Sequence, residues 1–141
     1  MIEIVNRQRR RKIETKQWRA FAGEALESIG AKKPNATIVF VGDSAITELN
    51  RRFRGKDYTT DVLSFPCEAE SFEKENRSHF GEVVISVQRA TAQAQSNRLS
   101  FDNEVKQLIL HGLLHLCGYD HETDNGEMNR LELRLRKRLG I

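Results

Sequence analysis

A chain of 141 residues with 38% hydrophobic side chains has apolar material for one core and not for two. Its formal net charge of +3 is mild, so a polyanionic partner would have to be met by local basic clusters. The two cysteines, Cys67 and Cys117, stand far apart outside any C-x-x-C pairing, which excludes a disulfide scaffold and suits a reducing compartment.

Residues 2–6 alternate apolar and polar side chains, as a half-buried strand does. Arg9, Arg10, Arg11 and Lys12 follow as a first basic run. From Thr15 the period lengthens: Trp18, Phe21, Ala22, Ala25, Leu26 and Ile29 recur at helical spacing, and Gly30 is a plausible stop. Residues 36–41 are β-branched and apolar, the signature of an interior strand. Asp43 is placed to cap a second helix with Ile46, Leu49 and Phe53 on one face and Gly55 as its terminator. A second basic run, Arg51, Arg52, Arg54 and Lys56, gathers at its end.

Residues 61–65 and 82–86 predict two more strands, and the Glu-rich segment 67–77 between them an exposed loop. Residues 87–96 predict a modest helix. Ser100 then caps a stronger one, with Phe101, Val105, Leu108, Ile109, Gly112, Leu113 and Leu116 on its buried side. A last helix from about Asn125 turns Met128, Leu131, Leu135 and Leu139 inward. Its basic residues, Arg130, Arg134, Arg136, Lys137 and Arg138, form a third cluster, and Glu132 four residues before Arg136 reads as an ordinary helix pair. With no repeat, low-complexity tract or linker, the expectation is one α+β domain over residues 1–141, a mixed sheet of about four strands with about five helices. Lys106, Gln107, His111 and His115 interrupt the most apolar stretch, 105–117, so nothing should span a membrane. Early charges leave no secretory signal, and the expected address is the cytoplasm.

Of the four histidines, three fall in His111-Gly112-Leu113-Leu114-His115-Leu116-Cys117-Gly118-Tyr119-Asp120-His121. On a helix His111 and His115 share one face, a turn apart. Gly118 falls where a left-handed residue would end that helix, and a reversal there brings His121 back toward the other two. Three neutral imidazoles on one ion leave a fourth position for water, the pattern of a catalytic zinc site rather than a closed structural one. His79 stands outside this constellation and reads as a core or surface residue. Asp120 reads equally as an orienting partner for a ligand or as a plain turn residue, and Cys117 reads as core.

The spacing matches the long zinc-protease pattern H-E-x-x-H-x-x-G-x-x-H, except that Gly112 stands where those enzymes carry the glutamate base. A metalloprotease is therefore the main rival reading, favoured by spacing and opposed by Gly112 and the basic clusters. A non-catalytic RNA-binding module with a structural zinc is the second. Metal storage has little support from a single three-ligand site.

The histidine motif, with Arg54-Gly55-Lys56-Asp57 and Asp61-Val62-Leu63-Ser64-Phe65-Pro66 before it, resembles the YbeY family of bacterial endoribonucleases. The similarity runs from the Asp43 helix to Leu139-Gly140-Ile141. It departs from the usual family pattern at Thr59, where many members have proline, and at Glu82, where many have aspartate. The resemblance implies a metal-dependent, single-strand-specific endoribonuclease that matures ribosomal RNA, notably the 3′ end of 16S rRNA, and serves ribosome quality control. Its partners would be single-stranded or ribosomal RNA and the ribosome or its small subunit. It further implies that His111, His115 and His121 hold one zinc ion per chain and that Arg54 is the required arginine of the same cleft. Arg54, with its planar donor fork, and His115 are thus the expected catalytic residues. The alternative for Arg54 is a salt bridge near the end of the Asp43 helix. For the general base, Asp57, Asp61, Glu82 and Asp120 all stay open.

Overall fold

Two segments with β-branched apolar runs become the interior strands of the sheet. In the computed structural model, which describes residues 1–32, 35–66 and 79–141, these are β2 (Asn35–Val41) and β4 (His79–Ser86). β1 (Ile2–Asn6), which precedes β2, and β3 (Val62–Pro66), which precedes β4, form the two edges, in the order β1-β2-β4-β3. β1 and β4 run parallel to β2, whereas β3 is antiparallel to β4, with Ser64 opposite Val83. The sheet is mixed and four-stranded, as expected. Cys67, the segment 67–77 and the side chain of His79 lie outside the described residues.

Strand alternation sorts the side chains onto two faces. Ile2, Ala36, Ile38, Phe40, Val83 and Ile85 face one way and pack with Trp18, Phe21 and Leu26 of α1 (Thr15–Ile29). The same core takes in α3 (Val87–Asn97), α4 (Phe101–Leu116) and α5 (Glu127–Leu139). Val41, Leu63 and Val84 face the other way, against Ile46 of α2 (Asp43–Arg54). α4 is buried more widely than one stripe, Leu110 and Leu114 included, because α1 and α5 cover the side turned from the sheet.

Three expectations are corrected. Asp43 does not cap α2: Gly42 takes that place, and the Asp43 carboxylate accepts from Ser86 Oγ at 2.6 Å while Gln88 Oε1 accepts from the Asp43 N–H at 2.8 Å. Phe53 is 61% exposed, its ring set edge-on against Phe65 at 5.4 Å. α5 starts at Glu127 rather than Asn125, because Gly126 takes a left-handed conformation (φ +95°) and Asp124 accepts from the N–H groups of Gly126 and Met128. Those bonds, with Met128 first, hold the Asp124 carboxyl below its usual range.

Candidate metal centre

The end of α4 builds the site. Gly118 adopts φ +94°, the Gly118 N–H donates to His115 O at 3.0 Å, and the Tyr119 N–H reaches back to Leu114 O at 3.2 Å. This pair of bonds is a Schellman stop, and it turns the chain back over the helix end. Asp120 then shapes the next turn: its Oδ1 accepts from the Glu122 N–H and its carbonyl from the N–H groups of Thr123 and Asp124. Asp120 is therefore a turn residue, and the reversal brings His121 to the other two imidazoles. Ring centroids stand 4.7 Å apart for His111 and His115, 5.6 Å for His111 and His121, and 5.5 Å for His115 and His121. One ring nitrogen from each lies within 4.8 Å of the others.

Hydrogen bonds fix which nitrogens face inward. His115 Nδ1 lies 3.0 Å from Tyr119 O, and a carbonyl can only accept, so Nδ1 carries the proton. His111 Nδ1 lies 3.1 and 3.2 Å from the two carboxylate oxygens of Glu132, which also only accept when ionised. In neutral rings both Nε2 atoms then present lone pairs toward each other, at 3.1 Å. Two facing lone pairs repel unless a cation lies between them. Nitrogens about 2.0–2.1 Å from one tetrahedral zinc stand roughly 3.3 Å apart; the His111–His115 pair at 3.1 Å matches this, and His121 offers its nitrogen within 4.8 Å, so the three could hold the ion. Burial, reinforced by the neighbouring His111, lowers the His115 pKa from its ordinary value and favours the neutral, ligating form. Glu132 is opposed by burial, yet hydrogen bonding to His111 and the charge of Arg136 outweigh it and hold the carboxyl below its usual range.

The histidines open on a cleft of 430 Å³ lined also by Arg54, Asp61, Ser64, Asp120 and Glu122. Arg54, in the last turn of α2, extends into it, and among the described residues no carboxylate pairs with it. The four carboxylates left open by the sequence are now separated. Asp61 lies in the cleft, its Oδ1 accepting from the Val62 N–H at 2.8 Å and from Thr60 Oγ1 at 3.3 Å. Asp120 also lines it. Glu82 points from the opposite face of the sheet, toward Glu3, Arg7 and Glu48, and Asp57 is exposed outside the cleft wall.

Gly112 explains itself by space. A Cβ there would stand 2.6 Å from Val83 Cγ1 and 3.2 Å from Ser64 Oγ, whose hydroxyl donates to Gly112 O at 3.1 Å. α4 thus lies directly on β4 and β3, which sets the depth of both helical histidines. Cys117, expected in the core, is half-buried, and burial pushes its thiol up to about 11, leaving it inert as a nucleophile. Glu132 is the residue that sequence reasoning missed. Its four-residue spacing reads as a surface pair with Arg136, and that pair exists at 3.1 Å, but Glu132 is 6% exposed and its carboxylate faces His111. The available signal was its place on the inward stripe of α5, between Met128 and Leu135.

Comparison with known proteins gives the family. A family model described as Endoribonuclease YbeY matches residues 3–140. A protein of that name from Nautilia profundicola is 47% identical over 104 residues, 74% of this chain and 71% of that one. Another from Geobacter metallireducens is 36% identical over 141 residues, 99% of this chain and 94% of that one. Among solved structures, a solution structure from Thermotoga maritima superposes with a TM-score of 0.65 at 26% identity, covering 99% of this chain and 89% of that one.

Proposed function

The chain belongs to the YbeY endoribonuclease family, and from that premise we propose that it is a zinc-dependent, single-strand-specific endoribonuclease, one domain over residues 1–141, acting in 16S rRNA 3′-end maturation and ribosome quality control. The observation that carries the reading is the convergence of three imidazoles and Arg54 on one cleft. His111, His115 and His121 would hold one zinc ion. When bound, the ion supplies Lewis acidity and lowers the pKa of its water toward neutrality.

The chain's own residues carry the rest. The Arg54 guanidinium, unpaired among the described residues, is placed to neutralise charge building on phosphodiester oxygens. Asp61, held by the Val62 N–H, and Asp120 line the cleft and are the carboxylates offered to take a proton there. Ribosomal RNA in the small subunit is the proposed partner, and the basic clusters supply a salt-sensitive attraction to it. Among the described residues no helix is long and apolar enough to cross a membrane, which suits the proposed cytoplasmic setting.

The test incubates metal-loaded protein with single-stranded RNA, structured RNA and an unstructured peptide, with and without chelator. Single-stranded RNA should be cut, less so at high salt, and chelator should stop the reaction. Arg54→Glu should abolish cleavage while metal content stays intact and the thermal midpoint moves by no more than about 3 °C. Robust peptide hydrolysis with RNA untouched would replace this reading with the protease one, and loss of metal or fold in the Arg54 variant would make that residue structural.

A further inference from the structure

α5 contributes no histidine to the metal centre, yet one of its side chains touches it. Glu132 sits on the buried stripe of α5 beside Met128 and Leu135, 6% exposed, where an apolar residue would be the ordinary choice. Its two carboxylate oxygens lie 3.1 and 3.2 Å from His111 Nδ1, and Oε1 also accepts from Arg136 Nη2 at 3.1 Å. A carboxylate this buried is tolerated only with good partners, and among the described residues these two are what it has.

The surroundings leave the ring dependent on that contact. Beside His111, on the side of Gln107 and Glu104, lies a cavity of 540 Å³, and no other described group bonds His111 Nδ1. His115 differs, because its Nδ1 is held by the Tyr119 carbonyl of the same turn.

We propose that Glu132 is the positioning residue of the metal centre: it accepts from His111 Nδ1–H, locks the ring, and directs the Nε2 lone pair into the cleft, with Arg136 holding the carboxylate in place. The inference rests on the metal reading above. It makes the C-terminal helix part of the centre, although the ligands themselves come from α4 and the turn beyond it.

Zinc affinity is measured by competition with a chromophoric chelator for wild type, Glu132→Leu and Glu132→Gln. The His111 tautomer is read in the zinc-free proteins from long-range ¹H–¹⁵N imidazole spectra. Glu132→Leu should bind zinc about 10- to 100-fold more weakly and lose the uniform Nδ1–H tautomer. Glu132→Gln keeps an accepting oxygen and should recover most of the affinity, an outcome that a purely structural role would not produce. Should the leucine variant fail to fold, Glu132→Ala serves the same comparison. Unchanged affinity and tautomer in Glu132→Leu or Glu132→Ala would overturn the role of Glu132 alone. A wild type with the Nδ1–H tautomer but no zinc affinity would overturn the metal reading with it.

Discussion

His115→Ala should strip the protein of zinc and of RNA cleavage together. His115 is the middle ligand of the set, its Nε2 3.1 Å from that of His111 and its ring 5.5 Å from that of His121. Its removal leaves His111 and His121, 5.6 Å apart between ring centroids, as two ligands where there were three, and it strands the Tyr119 carbonyl that held the ring. Two neutral nitrogens are too few to hold zinc against water, so less than about a tenth of the wild-type metal should survive desalting. Elemental analysis after purification checks this, beside a cleavage assay. The fold should persist, because His115 is only half-buried and lies at the end of α4. Stoichiometric zinc in a triple alanine variant of His111, His115 and His121 would sink the assignment.

The second large effect is on stability and comes from Gly112→Glu. Restoring the protease glutamate would place a Cβ 2.6 Å from Val83 Cγ1, and Val83 is β-branched, fully buried and held in a central strand. Overpacking alone costs about 1–3 kcal/mol, and burying a carboxyl without a partner adds about 1–3 kcal/mol more. The helix gains back roughly 1 kcal/mol when glycine is replaced. The net loss of about 3 kcal/mol should lower the thermal midpoint by roughly 10 °C, and no peptidase should appear. Calorimetry and a peptide assay decide the matter: a variant as stable as wild type would mean that α4 does not rest on β4 as described. Gly112→Ala separates the two costs, because it keeps the clash and omits the carboxyl.

The helix period carried the site further than it carried the fold's second layer. His111 and His115 at four-residue spacing, with Gly118 as the stop, were sufficient to expect the convergence, because both rules are local to one helix and its end. Glu132 escaped the same reasoning. The pairing rule for residues four apart describes an exposed helix, and nothing in α5 alone says that its stripe lies against His111. The general base stayed open for a related reason. Strand parity turns Glu82 away from α4, whereas Asp61 reaches the cleft from the turn just before β3, and which face of the sheet receives α4 follows from long-range pairing. Phe53 lies outward because, among the described residues, α2 is the helix that packs on the sheet's second face, and only part of it finds a partner there.

The seating of Gly112 on Val83 and Ser64 also orders events in time. The expected order is that β4 pairs with β2 in the register that sets Ile38 beside Val83, far away in sequence, before α4 seats on β4 and fixes the depth of His111. Such pairings are slow, because loop closure precedes any reward from contact. On that order the pocket is expected to be finished before a cation occupies it, unlike small zinc modules that the metal folds. Zinc should slow unfolding and leave the refolding rate in water unchanged, which stopped-flow traces with and without the ion will show; acceleration of refolding by zinc would place the histidines in the nucleus instead.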